Sequence, residues 1–158
     1  MNSEVLSPEL VWTDIQAANK FEALELMSER LQERGIVSDA HAFLADVLDR
    51  EASGATGIGN GVAIPHGKSP SVLKDRIAIG ILGNPIDWET LDGRPVTTIL
   101  LFAVDSQREA ACNTHLKMMA SVAQALAHDS VIDSLAHAEA PADAINALEP
   151  YLNKEDAS

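Results

Sequence analysis

The chain has 158 residues, 46% of them hydrophobic, and carries 24 acidic against 11 basic side chains, a formal charge of −13 at pH 7. That length suits one hydrophobic core, and the negative balance excludes a nucleic-acid surface, which needs a basic patch to meet the phosphate backbone. One cysteine, Cys112, excludes an internal disulfide. With neither a signal-like N-terminus nor an apolar run of about 20 residues, the expectation is a soluble cytoplasmic domain.

In chain order, LVWTDI (Leu10 to Ile15) alternates as a strand does, and AANK breaks it. A helix follows, with Phe21, Leu24, Met27 and Leu31 at helical spacing and Gly35 placed to close it in the left-handed region. Ser38 is the expected cap of a second helix. Its apolar face is Ala40, Phe43, Leu44, Val47 and Leu48, as far as Arg50. A glycine loop comes next, then VAIP as a short strand, RIAIGIL (Arg76 to Leu82) as a longer one and TTILLFAV (Thr97 to Val104) as a central strand buried on both faces. Between the last two, GNPIDWETLDGRPV is rich in turn residues and reads as surface, with Asp92-Gly93 at a tight turn. From Asn113 or Thr114 a helix carries Leu116, Met119, Ala123 and Leu126. Two shorter helices follow, one around Val131 to Ala136 and one opened by Pro141. The elements give a single α/β domain over residues 1–152, helices packed on a mixed sheet, followed by a flexible C-terminal tail at 153–158.

The stretch GATGIGNGVAIPHGK, Gly54 to Lys68, holds the chemistry. A dinucleotide site needs a strand before its glycines and a helix after them, and here that order is reversed. A P-loop ending at Gly67 to Ser69 would need glycine where Val62 stands, and Pro70 bars an immediate helix. The glycines instead let the backbone turn sharply and approach a group held at His66, with N–H groups pointing inward.

Of the five histidines, His41, His128 and His137 lie in helical stretches among small and polar residues and receive no role. His66 stands between Pro65 and Gly67 as a presented imidazole. His115 follows the buried strand at the start of a helix, an element end where sites on open sheets are built. From residue type alone a structural and a functional His115 are equally open. A neutral imidazole near pH 7 has a free ring nitrogen and can carry a phosphoryl group. Such a carrier needs hydrogen-bond donors around the phosphoryl oxygens and an in-line approach, and glycine-loop amides, Arg50 and His115 could serve as donors.

RExxG at Arg50 to Gly54, TGIGNGVAIPHGK at Thr56 to Lys68, IDWETLDGRPV at Ile86 to Val96 and THLKMMASVAQAL at Thr114 to Leu126 together resemble the EIIA domain of the fructose and mannitol family of the bacterial sugar phosphotransferase system (PTS). The resemblance covers nearly the whole chain. It implies a three-layer α/β/α sandwich with a mixed sheet, and a phosphocarrier that takes phosphate from the phosphohistidine protein HPr and passes it to a cysteine of an EIIB partner. It also implies that the membrane component EIIC is approached only through EIIB. Residue by residue, His66 matches the phosphorylated histidine, His115 the second active-site histidine and Arg50 the arginine beside them. Thr56, Asn60, Gly61 and Gly67 fall in the loop that shapes the site. DSQREAACN, ahead of His115, departs from the family in being longer and more polar.

Two other classes stay open. His66, His115 and Cys112 are metal-ligand types, but no HxxH or CxxC supports them, so neither a metal nor another cofactor is expected. A regulatory phosphoprotein resembling the nitrogen-related EIIA branch would use the same histidine and act by protein binding.

Overall fold

The computed structural model describes residues 5–107 and 111–152, with 111–116 in backbone course alone. The expected tail at 153–158 lies outside the described residues. Among those described, six strands form one mixed sheet, and five helices cover its two faces.

The first strand, β1, is Leu6–Ile15. It begins before Leu10 because an edge strand tolerates Pro8, and its pairing register slips between Leu6 and Val11, around that proline. Helix α1, Lys20–Glu33, opens on Asn19, whose side chain accepts from the Glu22 amide at 2.9 Å, while Glu22 Oε2 accepts from the Ala18 amide at 3.0 Å. That reciprocal pair satisfies two backbone donors at the helix start. Ala23, Leu24, Met27 and Leu31 are its buried stripe, whereas Phe21, expected on that face, is 49% exposed. Gly35, at φ 76°, ends the segment as expected.

Helix α2, Ala40–Ser53, is capped by Asp39, not Ser38: the Asp39 carboxylate accepts from the amides of His41 and Ala42. Ser38 donates instead to the Ser71 carbonyl, 3.2 Å away. The helix also runs one turn past Arg50, which sets Glu51 on the same inward face as Phe43, Leu44 and Val47.

Strands β2 (Gly57–Gly59) and β3 (Val62–Ala63) form a hairpin. Asn60 and Gly61 at its tip have φ 56° and 80°, the positive pair that a two-residue hairpin turn of matching twist requires. β4 is His66–Ser69, a strand the sequence reading did not contain. β5 is Arg76–Ile86 and β6 Val96–Asp105. The expected surface segment GNPIDWETLDGRPV is buried at three points: β5 reaches Ile86 after an irregularity, Trp88 is 7% exposed, and Val96 opens β6 fully buried. Helices α3 (Ala111–Leu126), α4 (Asp129–Ala136) and α5 (Pro141–Leu152) complete the chain, α3 beginning a turn earlier than its apolar pattern.

The sheet order is β1-β5-β6-β3-β2, with β4 also on β6. β6 is central, and alternation divides it. Ile99, Leu101 and Ala103 pack with Phe43, Val47, Leu24 and Met27 under α1 and α2, while Leu100, Phe102 and Val104 pack with Met118, Val122, Leu135 and Leu148 under α3 to α5. The result is a three-layer α/β/α sandwich.

Candidate functional site

β3 and β4 run parallel to β6 along the same edge, β3 opposite Thr98 and Ile99, β4 opposite Phe102 to Asp105. They are one strand interrupted at Ile64 and Pro65. Proline has no N–H to donate to a ladder. The Pro65 carbonyl still accepts from the Phe102 amide at 3.0 Å, while the Ile64 amide turns to the Thr56 carbonyl at 3.0 Å. The break brings the loop after α2 against the strand, and the first residue beyond it is His66.

Gly67 fixes the opposite face. A Cβ there would lie 2.6 Å from Val47 Cγ2 and 2.7 Å from Phe43 Cε1, so the group that comes close to this glycine is the chain's own α2. With Gly67 facing α2, strand alternation turns His66, paired with Phe102, to the face that α3 covers.

The His66 imidazole is partly buried. Arg50 Nε donates to its Nε2 at 3.0 Å. Guanidinium nitrogens only donate, so Nε2 is the unprotonated ring nitrogen and the neutral ring keeps its hydrogen on Nδ1. Burial first, and then the Arg50 charge, hold the pKa of His66 below its ordinary value of 6.5. The Ile64 backbone and the Glu51 charge act in the other direction and are outweighed. The resting ring is therefore neutral at pH 7, with its lone pair on Nε2.

Arg50 is held by the loop it borders, its second donor, Nη1, reaching the Gly54 carbonyl at 2.8 Å. Glu51 faces inward and its side chain is 3% exposed. Its Oε1 accepts from Thr56 Oγ1, and its Oε2 accepts from the Thr56 amide at 3.2 Å, Trp88 Nε1 at 3.2 Å and Lys20 Nζ at 3.5 Å. A buried carboxylate is tolerated when donors satisfy it on all sides, as here.

Arg50, Thr56, His66 and Gly67 thus come together around the strand break. Asn60 and Gly61 are held elsewhere: the Asn60 amide donates to Asp92 Oδ2 at 2.9 Å, and the Gly61 carbonyl accepts from the amides of Thr97 and Thr98. Two amides of this stretch are engaged within the fold, Asn60 on Asp92 and Ile64 on Thr56. Asp92 gathers the amides of Asn60 and Arg94 and the Thr90 hydroxyl, which hold its pKa below the usual carboxylate value. His115 lies in the early turns of α3; its side chain and that of Cys112 are outside the described residues.

Glu51, Trp88 and Ile64 were not among the expected site residues. Glu51 was detectable, since it falls four residues after Val47 on the apolar stripe of α2, where a carboxylate needs an explanation. Trp88 and Ile64 fall inside the motifs IDWETLDGRPV and TGIGNGVAIPHGK, but Trp88 sits in a polar, turn-rich segment and Ile64 acts through its backbone, so residue type gave neither a role.

The family described as "Phosphoenolpyruvate-dependent sugar phosphotransferase system, EIIA 2" matches residues 4–151. The "PTS system fructose-specific EIIABC component" of Bacillus subtilis is 30% identical over 154 residues, which are 98% of this chain and 23% of that protein. The chain therefore spans about a quarter of that relative's length. A "Nitrogen regulatory protein" of Klebsiella oxytoca is 33% identical over 138 residues, 87% of this chain and 83% of that one. Among solved structures, the nitrogen regulatory protein IIA-Ntr of Neisseria meningitidis superposes with a TM-score of 0.82 at 26% identity, covering 92% of this chain and 97% of the other. No helix among the described residues is long and apolar enough to cross a membrane. With a match spanning nearly the whole chain and a fold shared with these relatives, the chain belongs to the EIIA type 2 family of phosphocarriers of the sugar phosphotransferase system.

Proposed function

We propose that His66 Nε2 accepts a phosphoryl group from phosphorylated HPr and passes it to the cysteine of an EIIB partner, in the cytoplasm. The observation that carries this reading is the Arg50 Nε to His66 Nε2 bond, which marks Nε2 as the ring nitrogen with the free electron pair. In the forward step that pair attacks phosphorus in line, the P–N bond of the donor breaks and its electrons return to the donor ring. His66 then bears the phosphoryl on Nε2 and a proton on Nδ1, and its ring becomes cationic. The Ile64 backbone and Glu51, both of which favour the charged ring, stabilise that state. In the second step an EIIB thiolate attacks phosphorus and the P–N electrons return to Nε2.

Arg50 has two roles in this scheme. At rest it occupies the His66 lone pair; it must release that pair for attack, and its exposed guanidinium then meets the phosphoryl oxygens. His115, in the helix layer that His66 faces, is proposed as the further donor. Transfer of label from phosphorylated HPr to the chain and on to an EIIB domain, followed in single turnovers with wild type and His66→Ala, tests the reading. No label on His66→Ala is the result expected.

A second reading keeps the same acceptor and changes the output. The nitrogen regulatory relatives, 33% identical in one case, support a phosphorylated form that binds other proteins in place of serving EIIB. Discharge by EIIB distinguishes the two, because a purely regulatory protein would hold its phosphate in that assay.

A further inference from the structure

We infer that Glu51 is a positioning residue for His66, fixing which ring nitrogen carries the free electron pair by holding the loop on one side of the imidazole and the arginine on the other. The inference rests on His66 as acceptor and names a residue that acts on it without touching it.

Two chains of contacts leave this one carboxylate. Through Thr56, Glu51 holds both the amide and the hydroxyl of the residue whose carbonyl receives the Ile64 amide at 3.0 Å. Ile64 and Pro65 are the strand break directly before His66, so this bond sets where the imidazole leaves the strand. The second chain runs through the adjacent residue: Glu51 facing inward fixes the rotation of the last turn of α2, and that rotation sends Arg50 outward to Gly54 and to His66 Nε2. The segment 54–56 is gripped at both ends, at the Gly54 carbonyl by Arg50 and at Thr56 by Glu51. The carboxylate is anchored from beyond the loop by Trp88 Nε1 and Lys20 Nζ, and Lys20 also lies 5.4 Å over the Trp88 ring. The Arg50 donor opposite Nε2 selects one tautomer, and one carboxylate supports both that arginine and the strand break from which the ring is presented.

Three variants test this, each read by the imidazole 15N shifts of His66 in the unphosphorylated protein and by single-turnover transfer from phosphorylated HPr. Glu51→Ala should retain the fold by circular dichroism, show both tautomers of His66 where wild type shows the Nδ1–H form, and transfer about a hundredfold more slowly, the typical cost of a misplaced reacting atom. Glu51→Gln can place its carbonyl where Oε2 stands and offer its amide to the Thr56 hydroxyl, so it should restore the single tautomer and most of the rate. Should Glu51→Ala fail to fold, Thr56→Val removes one link alone and should show the same tautomer mixture in a folded protein. A folded Glu51→Ala or Thr56→Val with only the Nδ1–H form and wild-type transfer overturns the inference. Label on His66→Ala would instead refute His66 as acceptor while leaving the link between Glu51 and the ring intact.

Discussion

Replacing Arg50 by methionine keeps an unbranched stem and removes the guanidinium, so it separates the two uses of that group. In the resting fold the loss is two hydrogen bonds, to the Gly54 carbonyl at 2.8 Å and to His66 Nε2 at 3.0 Å. Arg50 is exposed, and water replaces its partners readily. The stability cost is therefore about 1 kcal/mol, which lowers Tm by about 2 to 4 °C in a domain of this size. In the transfer step the same group faces charge on the phosphoryl oxygens, where one preorganised donor contributes about 3 to 4 kcal/mol, or roughly a hundred- to a thousandfold in rate. Rapid-quench transfer from phosphorylated HPr, alongside thermal unfolding, reads both. A folded Arg50→Met protein transferring within about threefold of wild type, a difference of about 0.6 kcal/mol, would refute the role given to the guanidinium.

His66 should titrate below 6.5 by NMR, and in Arg50→Met its midpoint should rise while burial still holds it down, because burial is the larger cause. Since the folded ring binds its proton less tightly than the unfolded one, this group's contribution to stability is present above about pH 6.5 and is lost as pH falls through the window below it. Denaturant midpoints for wild type and His66→Gln should accordingly converge on acidification. Gly67→Ala places a methyl 2.6 Å from Val47 and 2.7 Å from the fully buried Phe43, and should cost about 1 to 3 kcal/mol by urea unfolding, as overpacked cores do. His115→Ala should still accept phosphate and pass it to EIIB much more slowly, at near wild-type Tm; a lowered Tm with normal transfer would make that histidine structural.

The parts of the fold legible from sequence were those with a local cause. The spacing of Leu24, Met27 and Leu31, the left-handed Gly35 and the apolar run of β6 each name their own conformation. What escaped is decided by partners distant in sequence. His66–Ser69 becomes a strand because β6 offers Phe102 to Asp105 as an edge, and nothing in HGKS announces that. Asp39 displaces Ser38 as cap because the Ser71 carbonyl draws the serine hydroxyl away. In the site, Arg50 and His66 were legible from motif and residue type, but their 3.0 Å bond needs the strand break at Ile64 and Pro65, and that break depends on a hydrogen bond back to Thr56. Of the glycines, Gly67 answers to Phe43 and Val47 in α2, a packing requirement that sequence presented as openness to a ligand.

The central claim is that Nε2 of His66 carries the phosphoryl group, and 31P–15N correlation on the isotopically labelled phosphoprotein tests it most directly. The account predicts one phosphorus coupled to Nε2 of His66, a linkage stable in alkali and hydrolysed in acid, and no incorporation into His66→Ala. Phosphorus coupled to Nδ1, phosphate on any other residue, or a label that survives acid would contradict it.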